Sequence, residues 1–395
     1  MKPETLSVHA GRHPHDNNGA VNPPIYQTST ILFPTLQAFH AAEQGKQHYA
    51  RPTQAKNDPG YGITGTNTTF ALAEAMAALE GGDASLIFPS GLAAITTVIL
   101  AFAGVGDHVL IVDSVYGPTR RFCNKELKRF GIEITYYDPL IGADITSLIK
   151  DNTTLILTES PGSITFEIQN IPAISTAAKA KKPDIVIAMD NSWATPIYLQ
   201  PLALGVDVSI LAATKYINGC SDILMGIVTA KEPYISDIFK TYRHLGMSSS
   251  PQECYLAQRG LRSMPTRLKQ HQESAIAVAT WLEKRKEVRR VIYPALPSHP
   301  QHELWKRDFR GACGLFSFIL HPVAYDSLCN MINGLELYGI GASWGGYESL
   351  MIDFNLNTVR TATKWQEEGQ GVRVHIGLEN PEDLIRDLEK GLKRL

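Results

Sequence analysis

Lys215 and Asp190 each follow an apolar run of strand length. Lys215 stands in Ala212-Ala213-Thr214-Lys215-Tyr216, directly after the run Val206 to Leu211, and Asp190 ends the run that begins at Ile185. A lysine at the end of a buried strand is unlike a solvated surface lysine. Burial disfavours its charged form and lowers its pKa, which is what an amine needs to attack a carbonyl. A carboxylate at such a strand end is costly unless a cation or donors meet it. Taken alone, Asp190 is equally well explained as a helix N-cap. Taken together, the two residues form the pair that pyridoxal 5'-phosphate requires: the lysine holds the aldehyde, and the carboxylate keeps the ring nitrogen protonated so that the ring accepts electrons.

The phosphate of such a cofactor needs a local site. With 37 Lys and Arg against 39 Asp and Glu, the formal net charge is -2, so no global field draws the chain to nucleic acid or anionic lipid. In Phe88-Pro89-Ser90-Gly91-Leu92-Ala93-Ala94 a strand gives way to a helix of small residues, and the free N–H groups of that helix's first turn make an anion site. The phosphate is therefore expected at Gly91 and Leu92, with the Thr214 hydroxyl. Tyr116, in Val115-Tyr116-Gly117-Pro118-Thr119 after another strand, is placed to stack on the ring; taken singly it reads equally well as a packed aromatic.

The elements that must position these residues follow from the alternation of the chain. Short β-branched runs at 84–88, 108–112, 133–137, 154–158, 185–190 and 206–212 recur between segments of helix length. Several are apolar throughout, as in parallel strands covered on both faces. The pattern predicts an α/β fold with a mostly parallel central sheet, whose ligands bind outside the carboxyl ends of the strands. A helix is expected over Thr68 to Leu79, and a long one from about Gln252 through Lys284. Beyond it come the strand-like segments VRRVIYPA, GLFSFIL and GVRVHIG and a final amphipathic helix, PEDLIRDLEKGLKRL.

Three regions are expected: an arm over 1–58, a cofactor-binding α/β domain over 59–245, and a smaller α+β C-terminal domain over 246–395. The arm is rich in Pro, Asn, Gln and His, and it has to lie across either its own body or a neighbouring subunit. The five cysteines, at 123, 220, 254, 313 and 329, include no CxxC pair, so neither a metal site nor a disulfide framework is expected. With no signal-peptide core and no membrane-length apolar run, the expectation is a cytoplasmic protein.

Two spellings compete with this reading. Gly60, Gly62 and Gly65 match a dinucleotide fingerprint, but QAKNDP before them is not a buried strand. Gly341, Ser343 and Gly345 spell a nucleophile elbow, with Asp353 and His375 following in serine-hydrolase order; too little sequence follows for the remaining hydrolase strands.

On these motifs the chain resembles the Cys/Met-metabolism family of pyridoxal phosphate enzymes, over essentially its whole length. The similarity starts at Thr5-Leu6-Ser7-Val8-His9-Ala10-Gly11 and includes the lysine motif with Gly219 and Ser221-Asp222. Glu159-Ser160-Pro161-Gly162-Ser163 and Ser343-Trp344-Gly345-Gly346-Tyr347-Glu348-Ser349-Leu350 look like the versions found in the β-lyases of that family. The resemblance implies fold type I, the aspartate aminotransferase type, and a carbon–sulfur β-lyase that turns L-cystathionine and water into homocysteine, pyruvate and ammonia, a step of methionine biosynthesis and transsulfuration. It further implies catalytic roles for Lys215 and Tyr116, a carboxylate clamp at Arg373, and a substrate site lined by Ser343 and Trp344. Tyr61 would reach the cofactor phosphate of the adjacent subunit, in a homotetramer built as a dimer of dimers with shared active sites.

Three departures from the family pattern stand out. Ile63 occupies the place of a phosphate-binding arginine, for which Arg51 or backbone donors would substitute. Cys220 replaces a histidine, and Ala342 stands where some β-lyases carry tyrosine. An amino-acid racemase, such as an alanine racemase, uses the same Cα deprotonation and is the nearest alternative, followed by a γ-lyase or γ-synthase.

Overall fold

The structure is a computed structural model and describes residues 1–44, 60–355 and 360–395. Arg51, one of the two expected substitutes for the missing arginine, lies outside the described residues.

The six expected strands and one more form a sheet of seven: β1 Ala84–Phe88, β2 His108–Val112, β3 Glu133–Tyr137, β4 Thr153–Glu159, β5 Val186–Asp190, β6 Val208–Ala212 and β7 Gly226–Ala230. The order is β1-β7-β6-β5-β4-β2-β3. β2 pairs in parallel with β3 and β4, β4 with β5, and β5 with β6, while β7 runs antiparallel to both β1 and β6. Every residue of β1, β2 and β7 is buried, which is why these runs are apolar without alternation. β3, at the sheet edge, is more open. β7 is the strand not expected from sequence.

The second sheet is wholly antiparallel, in the order β10-β11-β9-β8, with β8 Val288–Ile292, β9 Leu315–Leu320, β10 Leu350–Phe354 and β11 Gly371–His375. β8, β9 and β11 coincide with the strand-like segments; β10 does not. The helix Pro251–Leu282 runs 32 residues despite Pro265. It packs against the helices Asn67–Glu80 and Pro381–Leu392. Asn67–Glu80 begins at Thr66 in a capping box and stops at Gly81, whose φ of 74° suits a residue without Cβ.

The first helix, Pro3–His9, docks on its own chain. Arg262 donates to the carbonyls of Ser7 and Ala10 at 2.8 and 2.9 Å. The segment beyond it leaves Val21, Ile25, Tyr26, Leu32, Leu36 and Phe39 exposed. Among the described residues no helix is long and apolar enough to cross a membrane, and no group of three or more His, Cys, Asp or Glu is placed to hold a metal ion.

Candidate active site

β4, β5 and β6 end side by side, and β1 gives way to the helix Gly91–Phe102 on the same edge of the sheet. Together with the second sheet these ends enclose a cavity of about 190 Å³. Gly91, Leu92, Tyr116, Asp190, Thr214, Lys215, Trp344 and Arg373 all line it, so the fold gathers most of the residues singled out from sequence.

Lys215 extends its amine to the Ser343 hydroxyl, 2.7 Å away, with Nζ 5.1 Å from the Trp344 ring centroid. Burial, with the nearby Arg373 charge, lowers its pKa to about 8, and Asp190 pulls weakly the other way. Gly345, at φ +87°, lets the loop lie against the lysine backbone: a Cβ there would fall 2.9 Å from Lys215 Cα. Ser343 thus reaches the site through its contact with the lysine.

Asp190 accepts a hydrogen bond from the Ser192 backbone N–H at 2.9 Å, and burial still raises its pKa. The Ser192 hydroxyl accepts from Ala212 N at 2.7 Å, tying the ends of β5 and β6 together. Glu159 is the residue whose role sequence reading missed. It lies beside Asp190 in the β4–β5 register, lines the same cavity, and accepts the Tyr116 backbone N–H at 2.7 Å. Burial and the adjacent Asp190 push its pKa well above the usual carboxylate range. The signal was available, since Glu159 ends β4 as Asp190 ends β5.

Ser90 caps the helix Gly91–Phe102 by accepting from Ala93 N at 3.1 Å. The N–H groups of Gly91 and Leu92, in the first turn, have no acceptor within the helix by its geometry. A Cβ at Gly91 would fall 2.8 Å from Ala212 Cβ, so glycine lets this helix start seat against the end of β6. The Thr214 hydroxyl exchanges hydrogen bonds with Met225, donating to its carbonyl at 3.2 Å and accepting its N–H at 2.9 Å.

Arg373 donates from Nη2 to the carbonyls of Gly341, Ala342 and Ser343 at 3.3, 2.9 and 3.1 Å. Burial lowers its pKa to about 10. The elbow spelling fails on geometry. His375 receives the Gly345 N–H at Nε2, 3.1 Å away, and faces Tyr216 through Nδ1 at 3.5 Å, so it is engaged away from the Ser343 hydroxyl.

Tyr61 is not brought to this cavity. It is 55% exposed and lines a separate cleft with Ile63, Tyr242 and Arg243.

A family model described as Cys/Met metabolism PLP-dependent enzyme matches residues 4–393. The chain belongs to that family. The chain is similar to the L-alanine/L-glutamate racemase of Wolbachia pipientis wMel, 46% identical over 398 residues, covering 100% of this chain and 98% of that protein. Cystathionine beta-lyase MetC of Escherichia coli (strain K12) is 40% identical over 398 residues, covering 100% and 99%. The crystal structure of metB from Corynebacterium glutamicum superposes with a TM-score of 0.88 at 29% identity, covering 100% of this chain and 98% of its own. Membership fixes the fold as type I and the cofactor as pyridoxal 5'-phosphate.

The donor set suits that cofactor. A buried amine with a pKa near 8 is poised for a carbonyl, and among the described residues it forms no ion pair. Asp190 is a half-buried carboxylate that faces the cavity, as expected of a group completed by a protonated ring nitrogen. The helix start at Gly91 and Leu92 supplies N–H groups for a phosphate.

Proposed function

We propose that the protein is a carbon–sulfur β-lyase that converts L-cystathionine and water into homocysteine, pyruvate and ammonia. The reading is carried by the 2.7 Å contact between Lys215 Nζ and Ser343 Oγ, in a cavity that Asp190 and Arg373 also line. It draws on the similarity to cystathionine beta-lyase MetC over the whole chain.

Lys215 would hold the cofactor aldehyde, Asp190 its ring nitrogen, Tyr116 its ring face, and Gly91, Leu92 and Thr214 its phosphate. When bound, the cofactor supplies an electron sink for negative charge developing at the substrate Cα. Arg373 binds the substrate α-carboxylate; its guanidinium is braced by the carbonyls of 341–343, so Ser343 and Trp344 are placed together with it. Lys215 Nζ takes the proton from Cα, and its lowered pKa lets it do so near neutral pH. The same amine then returns a proton to the departing sulfur. Trp344 lies beside Nζ, with its ring centroid 5.1 Å away, and flanks the amine on one side.

The exposed apolar residues of the N-terminal segment support an arm that crosses a neighbouring subunit, with Tyr61 completing that neighbour's phosphate site. The assembly we infer is a cytoplasmic homotetramer with three regions per chain, bounded near residues 58 and 245.

Purified protein should be yellow, its visible band should vanish on borohydride reduction, and Lys215→Ala should lack it. A colourless wild type that pyridoxal phosphate cannot reconstitute overturns the proposal. With L-cystathionine, pyruvate and homocysteine mean β-cleavage, whereas 2-oxobutyrate and cysteine mean γ-cleavage. A second reading, amino-acid racemisation, is favoured by the 46% identity to the Wolbachia racemase. Chiral chromatography after incubation with L-alanine tests it.

A further inference from the structure

Gly162, Ser163, Ile164 and Phe166 form one wall of the cavity. Two of these non-glycine residues have left-handed backbone, Ile164 at φ 72° and Phe166 at φ 54°. For a β-branched residue such as Ile164 that conformation is an outlier, and it persists only where surrounding contacts impose it. The contacts are identifiable. Ser163 N donates to Ser114 O at 2.9 Å, and Gly162 N to Glu167 O at 2.9 Å. From the second sheet, the Ser317 hydroxyl donates to the Ile164 carbonyl at 2.8 Å. Arg360, in the loop between β10 and β11, donates to Glu167 at 2.6 Å and also holds Thr165.

Ser317 is the register partner of Arg373 on the neighbouring strand. The strand pair that carries the carboxylate-binding guanidinium therefore also grips the wall at Ile164. The separation between clamp and wall is set by one β-sheet pairing and one hydrogen bond, so an amino acid held at its carboxylate meets the wall at a fixed distance.

We infer that Ile164 is a specificity-determining residue: its side chain limits the size of the β-substituent that the site admits, and Ser317 positions it. The inference rests on the reading of the cavity as an amino-acid site with Arg373 at the carboxylate. Ile164→Ala shortens the side chain and keeps the backbone demand, while Ile164→Gly also relieves the left-handed conformation, so folding defects and size effects separate.

The test uses cofactor-loaded enzyme titrated with L-alanine and L-norleucine, which lack a leaving group, and followed through the visible band. Removing apolar bulk from the wall should improve the affinity of norleucine relative to alanine by about tenfold in both variants. Ser317→Ala should shift the ratio in the same direction by less, with the band itself and the melting temperature kept. An unchanged ratio in both Ile164 variants, with band and melting temperature as in the wild type, overturns the inference alone. A wild type whose band responds to neither amino acid overturns the amino-acid site itself, and the inference with it.

Discussion

Glu159 and Asp190 stand side by side at the carboxyl ends of adjacent parallel strands, two half-buried carboxyl groups in one register pair. Burial and the neighbouring Asp190 raise the pKa of Glu159 well above the usual carboxylate range, which favours its neutral form. Its role is then that of a neutral acceptor for the Tyr116 N–H. Glu159→Gln preserves that role and should leave kcat/KM within about twofold. Glu159→Ala strips the acceptor from the Tyr116 N–H, a loss of about 1–3 kcal/mol, or roughly fivefold to 150-fold in kcat/KM. Equal losses in both variants would show that Glu159 acts through its charge.

Lys215 carries a second prediction, because an amine captures an aldehyde only when neutral. With its pKa lowered to about 8, cofactor capture by the apoenzyme should accelerate about tenfold per pH unit below 8 and level off above it, rather than climbing toward 10.5. The signs of the neighbours follow. Removing the Arg373 charge with Arg373→Leu relieves a repulsion and moves the midpoint up. Asp190→Asn removes an attraction and moves it down. Stopped-flow absorbance across pH 6–10 reads all three proteins, and a midpoint unmoved by either variant contradicts the electrostatic account.

Arg373 should also separate binding from chemistry. Its guanidinium is braced by three carbonyls of the 341–343 loop, so Arg373→Lys keeps the charge but loses the planar fork. The expected result is a KM increase of about tenfold or more with a smaller change in kcat, by loss of charge-assisted hydrogen bonds to the substrate carboxylate. Steady-state kinetics with L-cystathionine check it. A change confined to kcat would instead place Arg373 in the proton-transfer step.

Much of this site was legible because strand ends can be recognised one at a time. Asp190 ends β5 and Lys215 follows the end of β6 by three residues, and both are legible by that rule; Glu159 ends β4 in the same way. β7 escaped because the sheet was read from alternation of strands with helices. Gly226–Ala230 follows the lysine motif with no helix between and runs antiparallel. β10 lies at the edge of the small sheet, where only one face of its pattern is constrained. The grip of Ser317 and Arg360 on the wall had no local signal at all. It joins residues about 150 to 195 positions apart, and a serine in a strand is silent until its partner is known.

Glu80 carries the last prediction, one that concerns stability. Its carboxyl group ends the helix Asn67–Glu80 inside the core, near the Ser209 hydroxyl. Burial raises its pKa from 4.5 to about 8, with the Ser209 hydroxyl pulling slightly the other way. The folded chain therefore holds a proton that the unfolded chain has lost between pH 4.5 and 8. Unfolding releases that proton, so this group's contribution to stability falls as pH rises through that window and levels off above it. Glu80→Gln cannot titrate, which should remove this slope. Relative to wild type, its apparent melting temperature should be similar near pH 5 and higher by several degrees at pH 8 and above, reflecting on the order of a few kcal/mol. Thermal melts of holoenzyme at fixed cofactor concentration from pH 5 to 9 decide it; parallel curves for the two proteins would mean that Glu80 is ionised in the fold.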